Sequence, residues 1–130
     1  MPEMTLQRIQ FSHDIDNRMR ALKGRTGITP NLMGRMGYCL SLEEPGSPAL
    51  LSEDVELGRE INRFTMLGEY DEAFISLLIA WMKNKGYKTF ETEEINQLFL
   101  AHMNRGIELI SARLKTITDL ERLLPKKEGL

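Results

Sequence analysis

LQRIQFSHDIDNRMRALKGRTGITPNLMGRMGYCLSLEE, residues Leu6–Glu44, is the stretch around which the rest of the chain is organised. In Thr5–Ser12, Ile9 and Phe11 fall on one side of a strand with Gln7, and Leu6, Arg8 and Gln10 fall on the other. A lone strand cannot satisfy its own backbone. The same strand of another subunit is the simplest partner; an extended arm packed on its own domain is the alternative. Ser12 is placed to cap the helix that follows, with Asp14 and Asp16 at the positive end of its dipole. Ile15, Met19 and Leu22 form its apolar stripe. The tip Gly24-Arg25-Thr26-Gly27 then turns the chain, one glycine taking a left-handed conformation. Thr29 and Pro30 are the N-cap and first position of a second helix. Leu32, Met33, Met36 and Leu40 mark its apolar face, and Gly34 and Gly37 leave it open to close approach by a helix, from another subunit or this one.

A strand, a helix, a turn and a helix with a basic middle suggest a ribbon-helix-helix-like nucleic-acid unit over residues 5–44. Between Ile15 and Leu42 the charges are Arg18, Arg20, Lys23, Arg25 and Arg35 against Asp16. Between Glu53 and Glu72 the balance reverses, with seven carboxylates against Arg59 and Arg63. The net charge is −2, so any contact with phosphates is local. Arg8, Gln10, Arg18, Lys23 and Arg25 are the candidate DNA-binding residues. A solvated helix face is the alternative for the basic cluster.

A helical body over residues 58–124 is expected to carry that unit, giving one domain over 1–130. The fold class is therefore all-α, mainly helical, with a short N-terminal strand. Gly46–Gly58 reads as an acidic loop, and Arg59–Leu67 is ambiguous, with Ile61, Arg63, Thr65 and Leu67 alternating as in a short strand. A helix follows over Asp71–Lys85, its apolar residues Phe74, Leu77, Leu78, Trp81 and Met82 wrapping widely enough to suggest a central helix. Lys83, Lys85 and Lys88 suit its C-terminal end and are positioned to extend a phosphate-binding surface. The last long helix runs from Thr92 or Glu93 to Lys115, with Gly106 at a close helix crossing and His102 as a hydrogen-bonded core histidine. Thr118–Glu121 fits a capping box for a final turn ending near Pro125, before a frayed tail at Lys126–Leu130.

Composition is that of a globular protein, 42% hydrophobic and 28% charged. The single cysteine, Cys39, excludes an internal disulfide and a CxxC metal knuckle, and its apolar helix suggests a buried thiol. The N-terminus lacks the apolar core of a signal peptide. The longest apolar run, Ala73–Met82, is about half of what a bilayer-spanning helix needs. A soluble cytoplasmic protein is expected. No P-loop, GxSxG or HExxH is present, so no catalytic, metal or cofactor site is assigned. Asn62, Arg63, His102 and Arg105 are expected to brace the helical body as buried polar groups.

Leu22–Asn31 and Cys39–Gly46 together resemble the DndE family of DNA sulfur-modification proteins, as do Asn62–Thr65, Leu67–Asp71 and Ala101–Gly106. The resemblance implies a place in the machinery that replaces a non-bridging phosphate oxygen of DNA with sulfur. It implies a mostly helical, non-catalytic component that forms a homotetramer, binds DNA with a preference for nicked duplex, and works with other proteins of that machinery. It also implies that the loop Gly24, Arg25, Thr26 and Gly27 supports the oligomer. Two other classes stay open: a metal-dependent DNA nickase or hydrolase using carboxylates such as Glu69 and Asp71, and a scaffold that binds only protein.

Overall fold

In the computed structural model, which describes residues 2–123, a two-stranded sheet and six α-helices follow the order β1 (Arg8–Ser12), α1 (His13–Thr26), α2 (Pro30–Glu43), β2 (Leu57–Asn62), α3 (Arg63–Leu67), α4 (Asp71–Asn84), α5 (Thr92–Arg113) and α6 (Leu120–Leu123). The fold is mainly helical with a short N-terminal strand, as expected. The turn end near Pro125 and the tail Lys126–Leu130 lie outside the described residues.

The alternation in β1 is real: Ile9 and Phe11 are fully buried and Arg8 is exposed. Its partner corrects the sequence reading. β1 pairs antiparallel with β2 of the same chain, Arg8 opposite Asn62, Ile9 opposite Ile61 and Gln10 opposite Glu60. β2 begins at Leu57, inside the stretch expected to be a loop, and stops at Asn62. The stop is chemical, because the Asn62 side chain accepts from the backbone N–H of Phe64 and Thr65 and so caps α3. Arg63, Thr65 and Leu67 are therefore helical.

The start of α1 follows the predicted chemistry. Ser12 Oγ accepts from the Ile15 N–H at 3.2 Å, and Ile15, Met19 and Leu22 are buried. Its end lies later than expected, since the helix runs through Gly24 to Thr26. Gly27 alone closes it, at φ 76°, with its N–H donating to the Lys23 carbonyl. The four-residue tip is thus a last helical turn and its cap. Thr29 and Pro30 open α2 as predicted, with Thr29 accepting from the Leu32 N–H. The buried face of α2 is rotated from the expected one: Met33, Gly34, Gly37, Tyr38 and Ser41 point inward while Leu32 is exposed. Cys39 is exposed, not buried.

The glycines explain the rotation. A Cβ on Gly37 would lie 2.6 Å from the carbonyl of Gly106, and one on Gly106 would meet the backbone of Gly37 even more closely. The two helices cross backbone to backbone at this point, within one chain. A Cβ on Gly34 would lie 2.5 Å from the sulfur of Met66. α5 is the central helix, burying Ile95, Leu98, Phe99, His102, Met103, Ile107 and Ile110. α4 is peripheral, contrary to expectation, with Ala73, Leu77 and Ala80 exposed. It is anchored through Phe74, whose ring stacks on Tyr38 at 5.2 Å and whose carbonyl accepts from the Tyr38 hydroxyl at 2.8 Å. After α5, the capping box forms two residues earlier than predicted, between Thr116 and Asp119.

Candidate nucleic-acid interface

The helical period of α1 decides which basic side chains can act together. Arg18 and Arg25, seven residues apart, share one flank of the buried stripe, whereas Lys23 lies on the other flank with Arg20. The Nε of Arg18 donates to Asp14 at 3.1 Å. That of Arg25 donates to the Lys115 carbonyl at 3.2 Å, so its charge meets a peptide oxygen and, among the described residues, no carboxylate. Lys23 is exposed and has no ion-pair partner among the described residues. Arg8 extends from β1 with a long contact to Glu60, 3.7 Å. Gln10 is committed to the sheet, its amide donating to the carbonyls of Phe11, Gly58 and Arg59. The five candidates therefore do not form one cluster. Lys83 and Lys85 lie over the rings of Phe90 and Trp81.

A second arginine pair is formed by the fold. The buried carboxylate of Asp16 accepts from Arg20 Nε at 3.1 Å and from Arg59 Nε at 2.8 Å through the same oxygen, Oδ1. Its Oδ2 accepts from the Arg59 backbone N–H at 3.0 Å. Burial alone would raise the Asp16 pKa, but the hydrogen bonds from Arg59 and Arg20 outweigh it and hold the carboxyl below its ordinary value. Gly58 makes the approach possible, since a Cβ there would fall 2.6 Å from the Asp16 Cβ and 2.8 Å from the Ser12 carbonyl. Arg20 was visible as a basic residue of α1; its partner is 43 positions from Asp16, and no local pattern could signal it.

Of the four polar residues expected to brace the helical body as buried groups, Arg63 and His102 are buried, Arg105 is half-buried and Asn62 is exposed. Asn62 caps α3. Arg63, buried, donates to both carboxylate oxygens of Asp71 at 2.8 and 2.7 Å and to the carbonyls of Met4 and Leu6. Arg105 donates to the hydroxyl and carbonyl of Ser41 and to the Gly46 carbonyl. His102 Nδ1 lies 2.8 Å from Ser41 Oγ; its Nε2 is buried without a hydrogen-bond partner among the described residues. The ring stands edge-on to Trp81, with centroids 4.5 Å apart. Burial, then the charges of Arg105 and Lys85, lower its pKa to about 4. The unfolded chain, with His102 near its ordinary 6.5, binds the proton more readily. This contribution to stability is therefore complete above about pH 6.5 and is lost as the pH falls toward 4, by roughly 3 kcal/mol in all. Urea unfolding between pH 7 and 4 should show that loss in the parent protein, and His102→Gln should flatten it.

Asp71, one of two carboxylates considered for a divalent ion, has both oxygens engaged by Arg63. No group of three or more His, Cys, Asp and Glu suited to a metal occurs among the described residues. No helix among them is long and apolar enough to cross a membrane.

The family model for DNA sulphur modification protein DndE matches residues 8–118, spanning both strands, the α2–α5 crossing and Asp16 with its two arginines. The chain belongs to the DndE family. Its fold is similar to the crystal structure of DndE from Escherichia coli B7A, a protein involved in DNA phosphorothioation modification. There the identity is 24%, coverage is 83% of this chain and 99% of that one, and the TM-score is 0.66. A second similar structure is a DndE variant with two glycine-to-lysine substitutions three positions apart, also involved in DNA phosphorothioation. Identity is 21%, coverage again 83% and 99%, and the TM-score 0.61. A search of curated proteins finds no match. The likeness to these DndE structures bears on fold alone, at identities this low.

Proposed function

We propose that this DndE-family chain is a non-catalytic, cytoplasmic DNA-binding component of the phosphorothioation machinery. In this reading it acts as one domain within a homotetramer and binds duplex DNA, preferentially nicked, beside the other proteins of the system. Arg8, Gln10, Arg18, Lys23 and Arg25 are the proposed contacts. The observation that carries the reading is the C-terminal half of α1, where Lys23 and Arg25 are exposed and neither meets a carboxylate among the described residues. Unpaired cations on a rigid helix can replace the counterions of a phosphate backbone without first breaking an ion pair.

Binding to intact, nicked and single-stranded DNA should be compared by fluorescence anisotropy, with the oligomer mass taken by light scattering in the same buffer. Log affinity is expected to fall with log salt by roughly 0.9 per phosphate contacted. Lys23→Ala with Arg25→Ala should weaken binding and flatten that slope. A salt-independent affinity overturns the reading, as does unchanged binding by the double variant. Strand cleavage dependent on a divalent cation would favour a nickase, and no DNA affinity at low salt would favour a protein-only scaffold.

The glycine-bounded turn Gly24, Arg25, Thr26 and Gly27 is proposed as the oligomer contact. Nothing lies within 4 Å of a Cβ built at Gly24, so a side chain there fits inside the subunit. Gly24→Lys should therefore lower the oligomer mass with the helical circular dichroism retained; a retained mass removes this assignment. Gly24 and Gly27 have the spacing of the two substituted glycines in the DndE variant.

A further inference from the structure

We propose that Arg20 and Arg59, pinned side by side on the buried carboxylate of Asp16, form a fork that grips one phosphodiester group of a DNA strand. The proposal rests on the DNA-binding reading for its ligand and adds a site that the basic run of α1 does not contain.

The geometry has three parts. Both arginines spend their Nε hydrogen on the same Asp16 oxygen, which brings two guanidinium groups together from α1 and β2. None of the terminal Nη groups of either arginine has a hydrogen-bond partner among the described residues, and both side chains reach solvent, at 65% and 27% exposure. Two cations share one anion, so the pair keeps a net positive charge held in place. Planar guanidinium groups fixed at Nε present their remaining N–H donors as a matched set, which suits the paired oxygens of a phosphodiester.

The surroundings favour an anion. Lys23 is the next basic residue along the same flank of α1, one turn beyond Arg20. Glu60, the carboxylate next to Arg59 in sequence, turns to the other face of the sheet toward Arg8. An arginine–aspartate–arginine group with a purely structural task would contribute to stability and not to affinity. The two roles are separable by experiment.

Arg20→Lys and Arg59→Lys preserve the net charge but remove the fixed fork. Arg20 is largely exposed, so its variant carries little risk to the fold. Each is expected to weaken binding of a nicked duplex about tenfold at constant salt. Asp16→Asn raises the net charge by one, so simple attraction would tighten binding; loss of the pin should weaken it. A second measurement is independent of duplex binding: titration of the parent protein with the dinucleotide dTpdT should shift the Nε–Hε resonances of Arg20 and Arg59 together. Unchanged affinity in both lysine variants, with parental DNA binding intact, overturns the fork and leaves the DNA reading standing. Movement of both resonances without duplex binding supports the fork and overturns the DNA reading. Unmoved arginine resonances overturn the fork.

Discussion

Gly106→Ala is expected to lower stability by about 3 kcal/mol, although alanine in a helix interior ordinarily gains up to about 1 kcal/mol over glycine. The reversal comes from the partner at the crossing. The added methyl would meet the backbone of Gly37 and the amide nitrogen of Tyr38, and backbone has no rotamer by which to yield. Relief would require α2 and α5 to separate, which would loosen Tyr38 from Phe99. The comparison is Gly24→Ala, on an α1 glycine with open space around it, where a gain of about 0.5–1 kcal/mol is expected. Urea unfolding of the two variants beside the parent is the measurement. A stabilised Gly106→Ala would mean that the helices can part at little cost.

Arg63→Ala is expected to cost about 3–5 kcal/mol, the range for breaking a buried ion pair by removing one partner. Asp71, with 17% of its side chain exposed, would lose its partner, and the carbonyls of Met4 and Leu6 would lose their donor. Asp71→Ala added to Arg63→Ala should recover part of the loss, because the stranded carboxylate is gone. The coupling from the double-mutant cycle should exceed that of the exposed pair Arg18–Asp14, for which at most about 0.5 kcal/mol is expected. Additive losses at Arg63 and Asp71 would show that the pair is not coupled.

Local chemistry was legible in the sequence and distant pairing was not. Ser12, Thr29, Pro30 and Gly27 act within a few residues of themselves, and the helix ends they predict are present. Gly106 announced a close crossing, since a mid-helix glycine is unfavourable without one. β2 was only half visible: a short strand was one reading of Arg59–Leu67, but Leu57-Gly58-Arg59-Glu60-Ile61-Asn62 contains a glycine and three polar residues and no run of β-formers to fix its bounds. Its identity depends on β1, some fifty residues earlier, and on Asp16. α4 misled in the opposite direction: Ala73, Leu77 and Ala80 are apolar and exposed, so breadth of the apolar face was no measure of burial. Among the candidate interface residues, exposure of Lys23 and Arg25 was legible. The commitment of the Gln10 amide to the sheet was not, because it depends on where β2 runs.

The N-terminal arm is fastened to residues synthesised long after it. Thr5 donates its backbone N–H to Asn96 and accepts from the Asn96 amide, and Ser12 and Gln10 bond to Asn104, all more than ninety positions away. At ribosomal rates of about 5–20 residues per second, β1 waits roughly 5–20 s for α5 to be made. During that interval Ile9 and Phe11 have no α5 to cover them, and even β2 arrives only part-way through. The nascent chain thus carries an unpaired strand edge until β2 is made, and the bonds that fasten the arm to Asn96 and Asn104 can form only once α5 has followed.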